Sequence, residues 1–88
     1  MPTPWFVYLL RCADGTLYTG VTTDVARRLD EHNHSDTLGA RYTRTRRPVE
    51  LLHSEPANSR SDACKREAAI RKLNRIAKLA LAQGTTAP

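Results

Sequence analysis

The sequence has few of the residues that would indicate a disulfide scaffold, a zinc finger or a membrane segment. Its two cysteines, Cys12 and Cys64, lie far apart and without metal-ligand spacing, so we expect free thiols packed as small apolar side chains. The longest apolar run, residues 5–10, is much shorter than the ~18 to 20 residues that a membrane span requires. No Lys or Arg precedes this run and it ends at Arg11, which is unlike a signal peptide. We therefore expect a cytoplasmic protein that does not enter a membrane.

The chain is also too short for more than one domain. Its 88 residues are 40% hydrophobic and 26% charged, a globular rather than a disordered composition. A chain of this size buries only about 60 to 65% of its unfolded surface, which permits one compact core. We expect residues 1–84 to form a single domain and residues 85–88 to form a frayed tail.

Positive charge is the first feature that points to a partner. Fourteen Lys and Arg against nine Asp and Glu give a net charge of +5, and eleven of the fourteen are Arg. Arg makes bidentate contacts with phosphate that Lys cannot make. Charge alone leaves two equal alternatives, a nucleic-acid partner or a basic protein that has none.

The order of elements predicts an α+β fold. Residues 5–10 and 16–21 read as a hairpin, residues 25–34 as a helix behind an N-cap, and residues 48–55 as a third strand begun by Pro48 and ended by Pro56. A long amphipathic helix is predicted from residue 59 or 61 to residue 82. The order β-β-α-β-α, with one short helical turn permitted before the third strand, is satisfied by a three-stranded, mostly antiparallel sheet flanked by helices, with the first strand in the centre.

Two hairpin loops are compatible with the sequence, and they place two tyrosines differently. A two-residue loop at Asp14 and Gly15 would put Tyr8 and Tyr18 on opposite faces of the sheet. A three-residue loop with Gly15 at positive φ would pair Tyr8 with Gly20 and put both tyrosines on one face, roughly 7 to 8 Å apart. We predict the three-residue loop, with Gly20 leaving room for another group to approach Tyr8.

Three further sets of side chains are costly for structure alone. Arg28 and His32 project from one face of the first helix, although Arg28 could instead pair with Asp24. Glu67 lies at the edge of the apolar stripe of the last helix and needs a cation, which could be a metal ion or simply Arg71. The remaining set is a run of arginines that alternates with hydroxyl donors, as phosphate-binding segments do, or that forms a solvated loop: Arg41, Arg44, Arg46 and Arg47.

In their order along the chain, these residues resemble the GIY-YIG nuclease domain. Residues 6–8 (Phe-Val-Tyr) stand where the family has Gly-Ile-Tyr, and residues 18–20 (Tyr-Thr-Gly) stand where it has Tyr-Ile-Gly. Arg28, His32 and Glu67 match the helix Arg, a His found in several members, and the Glu of the later helix. The resemblance covers about residues 4–84 and is closest to the small stand-alone bacterial group, sometimes called YhbQ-like. The departures are Phe6 in place of Gly, and Asn74 as the only counterpart of a later Asn, at a shorter spacing.

The resemblance implies an endonuclease that hydrolyses phosphodiester bonds with one divalent ion, Mg²⁺ or Mn²⁺, in DNA rather than RNA, with a role in repair or processing. It implies that Tyr8 is the base, Arg28 the phosphate clamp and Glu67 the metal ligand, while Tyr18 and His32 orient the water and phosphate or relay the proton. The alternative is a basic nucleic-acid-binding module that has the same scaffold but no catalysis. Neither hypothesis requires an obligate protein partner.

Overall fold

The computed structural model describes residues 3–83; the predicted C-terminal tail, residues 85–88, lies outside the described residues. Its strands are β1 (Trp5–Arg11), β2 (Leu17–Thr22) and β3 (Glu50–Ala57), and its helices are α1 (Val25–His34), α2 (Arg41–Arg44), α3 (Arg60–Arg71) and α4 (Arg75–Ala82). The sheet is antiparallel in the order β2-β1-β3. The predicted α+β fold with three strands is therefore confirmed. None of the helices within residues 3–83 combines the length and the apolar character that a membrane span requires.

β1 is the central strand, as its sequence predicts. A strand flanked on both sides and covered on both faces must be apolar at every position. Val7, Tyr8, Leu9 and Leu10 are all at most 3% exposed, so successive residues are buried on opposite faces of the sheet.

The two faces of the sheet carry separate clusters. On the face of Tyr8, the core contains Leu10 and Cys12, with Leu29 of α1 packed against it. On the opposite face, Val7 packs with Ala63 and Ile70 of α3. The helices thus flank the sheet on both faces. Cys12 is buried as expected, whereas Cys64 is exposed and the prediction that it packs as a small apolar side chain is wrong.

The hairpin between β1 and β2 has the three-residue loop. Gly15 has a φ of 87°, a left-handed conformation that glycine adopts without steric cost. The register pairs Tyr8 with Gly20 and Leu10 with Tyr18, so the two tyrosines lie on one face. The prediction of an odd-length loop is confirmed.

The tip of this hairpin is bonded to two distant parts of the chain. The Ala13 amide donates to the Arg46 carbonyl at 2.9 Å, and the Arg46 guanidinium pairs with the Asp14 carboxylate at 3.0 Å. From the other side, Arg75 donates to the Gly15 carbonyl at 2.6 Å. The tip therefore connects the end of α2 to the start of α4.

The third strand is displaced from its predicted bounds at both ends. It begins at Glu50 rather than Pro48, because the side chain of Asn33 bonds both the amide and the carbonyl of Val49, at 2.7 and 3.0 Å. It continues through Pro56 to Ala57. Pro56 does not end the strand because β3 is an edge strand, where one missing amide need not interrupt a ladder.

The predicted long helix is two helices, so that prediction is wrong. α3 ends at Arg71, and Asn74 adopts an extended ψ of 171° while its side chain accepts a hydrogen bond from the Ala77 amide. This is an N-cap, which satisfies an amide that has no partner within the new helix. Asn74 therefore starts α4, and it does not line the cavity described below.

Replacing Asn74 with Ala should lower the free energy of unfolding by about 1 kcal/mol, because the cap is removed. Asn74→Ser should retain most of that stability, since Ser is an equally good N-cap. Denaturant unfolding of the three proteins measures the difference. A reduced metal affinity in Asn74→Ala at unchanged stability would contradict the capping role.

Candidate active site

A cavity of about 520 Å³ lies along the edge of β2 that faces away from β1, which no other strand within residues 3–83 covers. Residues of β2 form one wall, and side chains of β1, α1, α2 and α3 complete it. The lining residues are Tyr8, Leu17, Tyr18, Thr19, Gly20, Val21, Arg28, Tyr42, Glu67 and Arg71. Four of the predicted site residues, Tyr8, Tyr18, Arg28 and Glu67, thus meet in one place although they come from four different elements.

Tyr8 lies flat against β2 because its cross-strand partner has no side chain. A Cβ placed on Gly20 would lie 2.4 Å from the phenol oxygen of Tyr8, well inside contact distance. The space above Gly20 is therefore filled by the ring of Tyr8 itself, and not by an approaching group as the sequence suggested. The ring centroids of Tyr8 and Tyr18 are 6.4 Å apart.

Behind Tyr8, a chain of hydrogen bonds runs into the core. The phenol oxygen of Tyr8 lies 2.8 Å from His32 Nε2, and His32 Nδ1 lies 2.7 Å from Thr43 Oγ1. The Thr43 hydroxyl lies 3.0 Å from the Ala40 carbonyl, to which it can donate. His32 and Thr43 are both fully buried. His32 is therefore not a wall of the cavity. It lies behind the two tyrosines, bonded to Tyr8 and edge-on to the Tyr18 ring, with His32 and Tyr18 centroids 5.3 Å apart.

Burial sets the protonation states of this pair. It raises the pKa of Tyr8 to about 12, with the Arg28 guanidinium opposing the shift. Burial also lowers the pKa of His32 to about 4, and the positive charges of Arg28 and Arg47 add to that effect. At pH 7, Tyr8 carries its proton and His32 is neutral. The nearby positive charge that a phenolate would need is present, but burial outweighs it.

Arg28 is held at the cavity by one residue of its own helix and by the segment that follows that helix. Its guanidinium bonds the Glu31 carboxylate at 2.9 Å and the Leu38 carbonyl at 2.6 Å. The alternative pairing with Asp24 is wrong, because the Asp24 carboxylate caps α1 by accepting from the Arg27 amide. Both of these bonds are made by the same terminal nitrogen of Arg28. Nε and the other terminal nitrogen therefore have N–H donors for a ligand.

Glu67 lines the cavity and also makes the ion pair with Arg71 that the sequence allowed. The Arg71 Nε donates to Glu67 Oε2 at 3.0 Å, and a second guanidinium nitrogen of Arg71 bonds the same carboxylate. The Glu67 side chain is only 14% exposed, against 67% for Arg71. Arg71 is a cavity residue that the sequence reading treated only as a surface partner.

A metal ion at this position would have one protein carboxylate. Within residues 3–83, no group of three or more His, Cys, Asp or Glu side chains could hold a metal. Mg²⁺ commonly binds through one or two carboxylates and completes its octahedron with waters and substrate phosphate. A largely buried carboxylate at the wall of an open cavity fits that mode of binding, provided that Arg71 moves aside.

The four arginines predicted to bind phosphate are not at the cavity wall. Arg47 bonds the His32 and Ser35 carbonyls and so caps the end of α1. Arg44 donates to the Asp36 carbonyl and Arg46 pairs with Asp14. Arg41 is exposed, and among the described residues no side-chain hydrogen bond or ion pair involves it. Arg41 and Arg44 are the most available for a ligand.

Two residues that the sequence reading missed belong to this same segment. Tyr42 lines the cavity and stacks on Tyr18, with ring centroids 5.8 Å apart, and Thr43 holds His32. Because arginines surround these two residues, the segment was predicted to bind phosphate and its uncharged side chains were considered only as hydroxyl donors. A helical turn at 41–44 places Tyr42 and Thr43 toward the sheet, but four residues are too few for a periodicity to be read.

This arrangement of two tyrosines, an arginine and a glutamate can be compared with known proteins. The GIY-YIG catalytic domain matches residues 4–79. The chain belongs to the GIY-YIG family. A UPF0213 protein of Desulfotalea psychrophila is 56% identical over 81 residues, which cover 92% of this chain and 73% of that protein. A UPF0213 protein of Halobacterium salinarum is 55% identical over 75 residues, which cover 85% and 95%.

Two solved structures have the same fold. The solution NMR structure of a protein from E. faecalis is 45% identical, covers 94% of this chain and 86% of its own, and has a TM-score of 0.62. That of a UPF0213 protein from Bacillus halodurans is 38% identical, covers 97% and 88%, and has a TM-score of 0.57. Membership of the GIY-YIG family indicates a nuclease domain, while the names of these relatives state no activity.

The buried imidazole predicts how stability depends on pH. Because the pKa of His32 falls to about 4 in the folded protein, the unfolded chain binds a proton between pH 6.5 and 4 that the folded chain does not. Stability should therefore be full above pH 6.5 and fall by about 3 kcal/mol as the pH drops to 4. Denaturant unfolding across this range measures the effect. His32→Gln should flatten that dependence, and an equally steep curve in the variant would contradict the assignment.

Proposed function

We propose that this protein is a metal-dependent endonuclease that hydrolyses phosphodiester bonds in nucleic acid, with DNA favoured over RNA. A cytoplasmic role in DNA repair or processing agrees with this activity. In this proposal Tyr8, Tyr18, Arg28 and His32 are the catalytic residues, and Glu67 holds one Mg²⁺ or Mn²⁺.

The observation that carries the proposal is the convergence of Tyr8, Arg28 and Glu67 on one cavity. They come from β1, α1 and α3, and α3 packs on the opposite face of the sheet from α1. Side chains from both faces can meet only where the sheet ends, and the uncovered edge of β2 is such a place. Two unrelated surface ion pairs would have no reason to share a cavity with a buried tyrosine.

Each side chain has a role that its chemistry allows. Arg28 offers the guanidinium donors that Glu31, Leu38 and Tyr8 do not use to the phosphate oxygens, where negative charge grows in the transition state. A divalent ion on Glu67 would act as a Lewis acid for the leaving oxygen. Tyr18, beside Tyr8 on the same wall, can donate its hydroxyl to the phosphate or to the attacking water.

Proton removal is the step for which the buried chain matters. Tyr8 is protonated at rest, so it cannot accept a proton from water until it gives up its own. Its neighbour His32 Nε2, 2.8 Å away, is neutral and can take that proton. We therefore propose that water passes its proton to Tyr8 as Tyr8 passes its own to His32, and that no phenolate is present beforehand.

One observation favours the alternative of a non-catalytic nucleic-acid-binding module. The carboxylate of Glu67 is paired with Arg71, which neutralises the charge that a metal ion would need. Under this alternative, Arg71 and Arg28 are both simply cations facing a phosphate backbone. The two proposals differ in what removal of the Glu67 charge does.

Glu67→Gln should abolish cleavage while folding and nucleic-acid binding remain, since the shape is kept and only the metal-binding charge is removed. The measurement is cleavage of structured DNA and RNA in Mn²⁺, together with binding without metal. Glu50→Gln is a matched control, because Glu50 also pairs with an arginine, Arg11, but on the exposed surface. Undiminished cleavage by Glu67→Gln would eliminate the metal assignment and leave the binding module as the better proposal.

Thr43 should matter for the rate through His32. When the Thr43 hydroxyl donates to Ala40, its oxygen can accept from Nδ1–H, which leaves Nε2 unprotonated and facing Tyr8. Thr43→Val should therefore shift the His32 ring toward the Nε2–H tautomer and lower kcat about tenfold to a hundredfold, with binding unchanged.

The ¹⁵N chemical shifts of the His32 ring report the tautomer directly, and Thr43→Ser should restore both tautomer and rate. The Ala40 amide lies 3.4 Å from Nδ1 and would favour the opposite tautomer. Finding Nε2–H in the unmodified protein would overturn this account of the proton path.

The exposed arginines of α2 should contribute to affinity without affecting the chemistry. Replacing both Arg41 and Arg44 with Ala should weaken binding to all sequences alike. It should also flatten the dependence of log K on log salt by about 0.9 for each duplex phosphate that the variant no longer neutralises. Titrations between about 50 and 200 mM salt give the slope, and an unchanged slope would assign both side chains to solvent.

A further inference from the structure

Tyr42 and Arg46, which stack next to Tyr18, have no part in the proposed hydrolysis. The ring of Tyr42 lies nearly parallel to Tyr18, at an interplanar angle of 23°. The guanidinium carbon of Arg46 lies over the Tyr42 ring, 3.9 Å from its centroid. Tyr42 therefore stacks with both Tyr18, which shares the cavity wall with it, and Arg46, which is not among the lining residues.

Arg46 is fixed in this position by bonds in the plane of its guanidinium. Its Nε donates to Asp14 Oδ2 at 3.0 Å, and one terminal nitrogen donates to the Tyr42 carbonyl at 2.8 Å. Asp14 is itself held by the amide and hydroxyl of Thr16. A third of the Arg46 side chain is exposed. Since one face rests on Tyr42 and the edge is bonded, the exposed third of this planar cation is the part that a ligand can reach.

A planar cation of this kind has a matching ligand in nucleic acid. Guanidinium planes and aromatic rings stack on nucleobases, with about 1 to 3 kcal/mol for each base on an aromatic side chain. Binding costs little rotamer freedom, because Arg46 is already ordered. Tyr18 and Tyr42 line the same cavity as Arg28 and Glu67, so a nucleotide next to a phosphate bound at Arg28 would lie close to this stack.

We infer that Arg46 and Tyr42 form a stacking subsite for one unpaired nucleobase beside the scissile phosphate. Within a duplex both faces of a base are covered by its neighbours, so only a single strand, a flap or an extruded base can occupy the subsite. The inference rests on the proposed function for its location and narrows the substrate to nucleic acid that is unpaired at the cut. It also changes the role predicted for Arg46 from a phosphate contact to a base contact.

The test compares two strands that differ only in their bases. The first probe is a thymidine oligonucleotide, and the second is a base-free sugar-phosphate oligomer of the same length and charge. Binding is measured by fluorescence anisotropy without divalent ions, so that cleavage plays no part. The protein should bind the thymidine strand roughly tenfold more tightly, which corresponds to about 1.4 kcal/mol.

Arg46→Lys keeps the charge and can keep the ion pair with Asp14, but it removes the planar guanidinium group on which a base would stack. It should bring the thymidine strand to the affinity of the base-free strand and leave the base-free strand unchanged. Arg11→Lys is the matched control, because Arg11 is also paired with a carboxylate but stacks on no ring within residues 3–83; it should preserve the tenfold ratio. Thermal unfolding verifies that each variant is folded. Tyr42→Leu, which removes the ring under Arg46, should reduce the affinity for the thymidine strand in the same way.

Equal affinity of the unmodified protein for both strands would overturn the subsite, as would an equal weakening on both strands in Arg46→Lys. Either outcome leaves the nuclease proposal standing, since the cleavage assay on Glu67→Gln tests that separately. A ratio that collapses in Arg46→Lys and Tyr42→Leu but not in Arg11→Lys supports the subsite even if cleavage fails.

Discussion

The close contact between the phenol of Tyr8 and the backbone of Gly20 is the constraint on which the site depends. Any side chain at position 20 would occupy the volume of the Tyr8 oxygen, so the pairing of these two residues allows only glycine. The pairing in turn requires the register that a three-residue loop provides, and that loop requires Gly15 at positive φ. A slip of one residue would exchange the two faces of β2 and move Tyr18 away from Tyr8. Two glycines thus determine where two tyrosines lie.

The buried polar chain behind Tyr8 is a second consequence of that position. An imidazole with no exposed surface is costly unless both nitrogens are bonded, and here Tyr8 and Thr43 satisfy them. The same burial keeps His32 neutral, so that Nε2 retains a lone pair for the Tyr8 proton, while it makes the resulting imidazolium costly. Stability and the proposed chemistry therefore both require that Tyr8 and Thr43 stay bonded to His32. A variant that leaves one nitrogen of His32 without a partner should impair both.

Much of the fold could be predicted from the sequence because its signals are local. The apolar run of β1, the glycine in the loop and the cap before α1 depend on near neighbours along the chain. The errors arose where a distant side chain decided the outcome. Asn33 takes the backbone bonds of Val49 and delays β3, and an edge position lets Pro56 remain in the strand. Asn74 is the exception, because its cap is local. A polar residue at that point of the apolar stripe indicates a possible helix start, and this signal was missed.

The residues of the site also divide into those that the sequence marks locally and those that depend on contacts with distant side chains. Tyr8, Tyr18, Arg28 and Glu67 could be named because family motifs mark them, and the cavity contains all four. Tyr42, Thr43 and Arg71 could not, because their importance lies in which side chains they touch. A run of arginines looks uniform in sequence, yet in the fold Arg47 caps a helix, Arg46 lies on a ring and Arg41 faces solvent.

The bonds at the hairpin tip have a consequence for the order in which the domain forms. The tip joins Asp14 to Arg46, 32 residues later, and Gly15 to Arg75, 60 residues later. Such contacts form only after long loops of chain have closed. The β1–β2 hairpin can form early from its local turn, but its tip gains these partners only when α2 and α4 are in place. Amide exchange at Ala13, whose hydrogen bond goes to Arg46, should therefore report on the assembled domain rather than on the local turn.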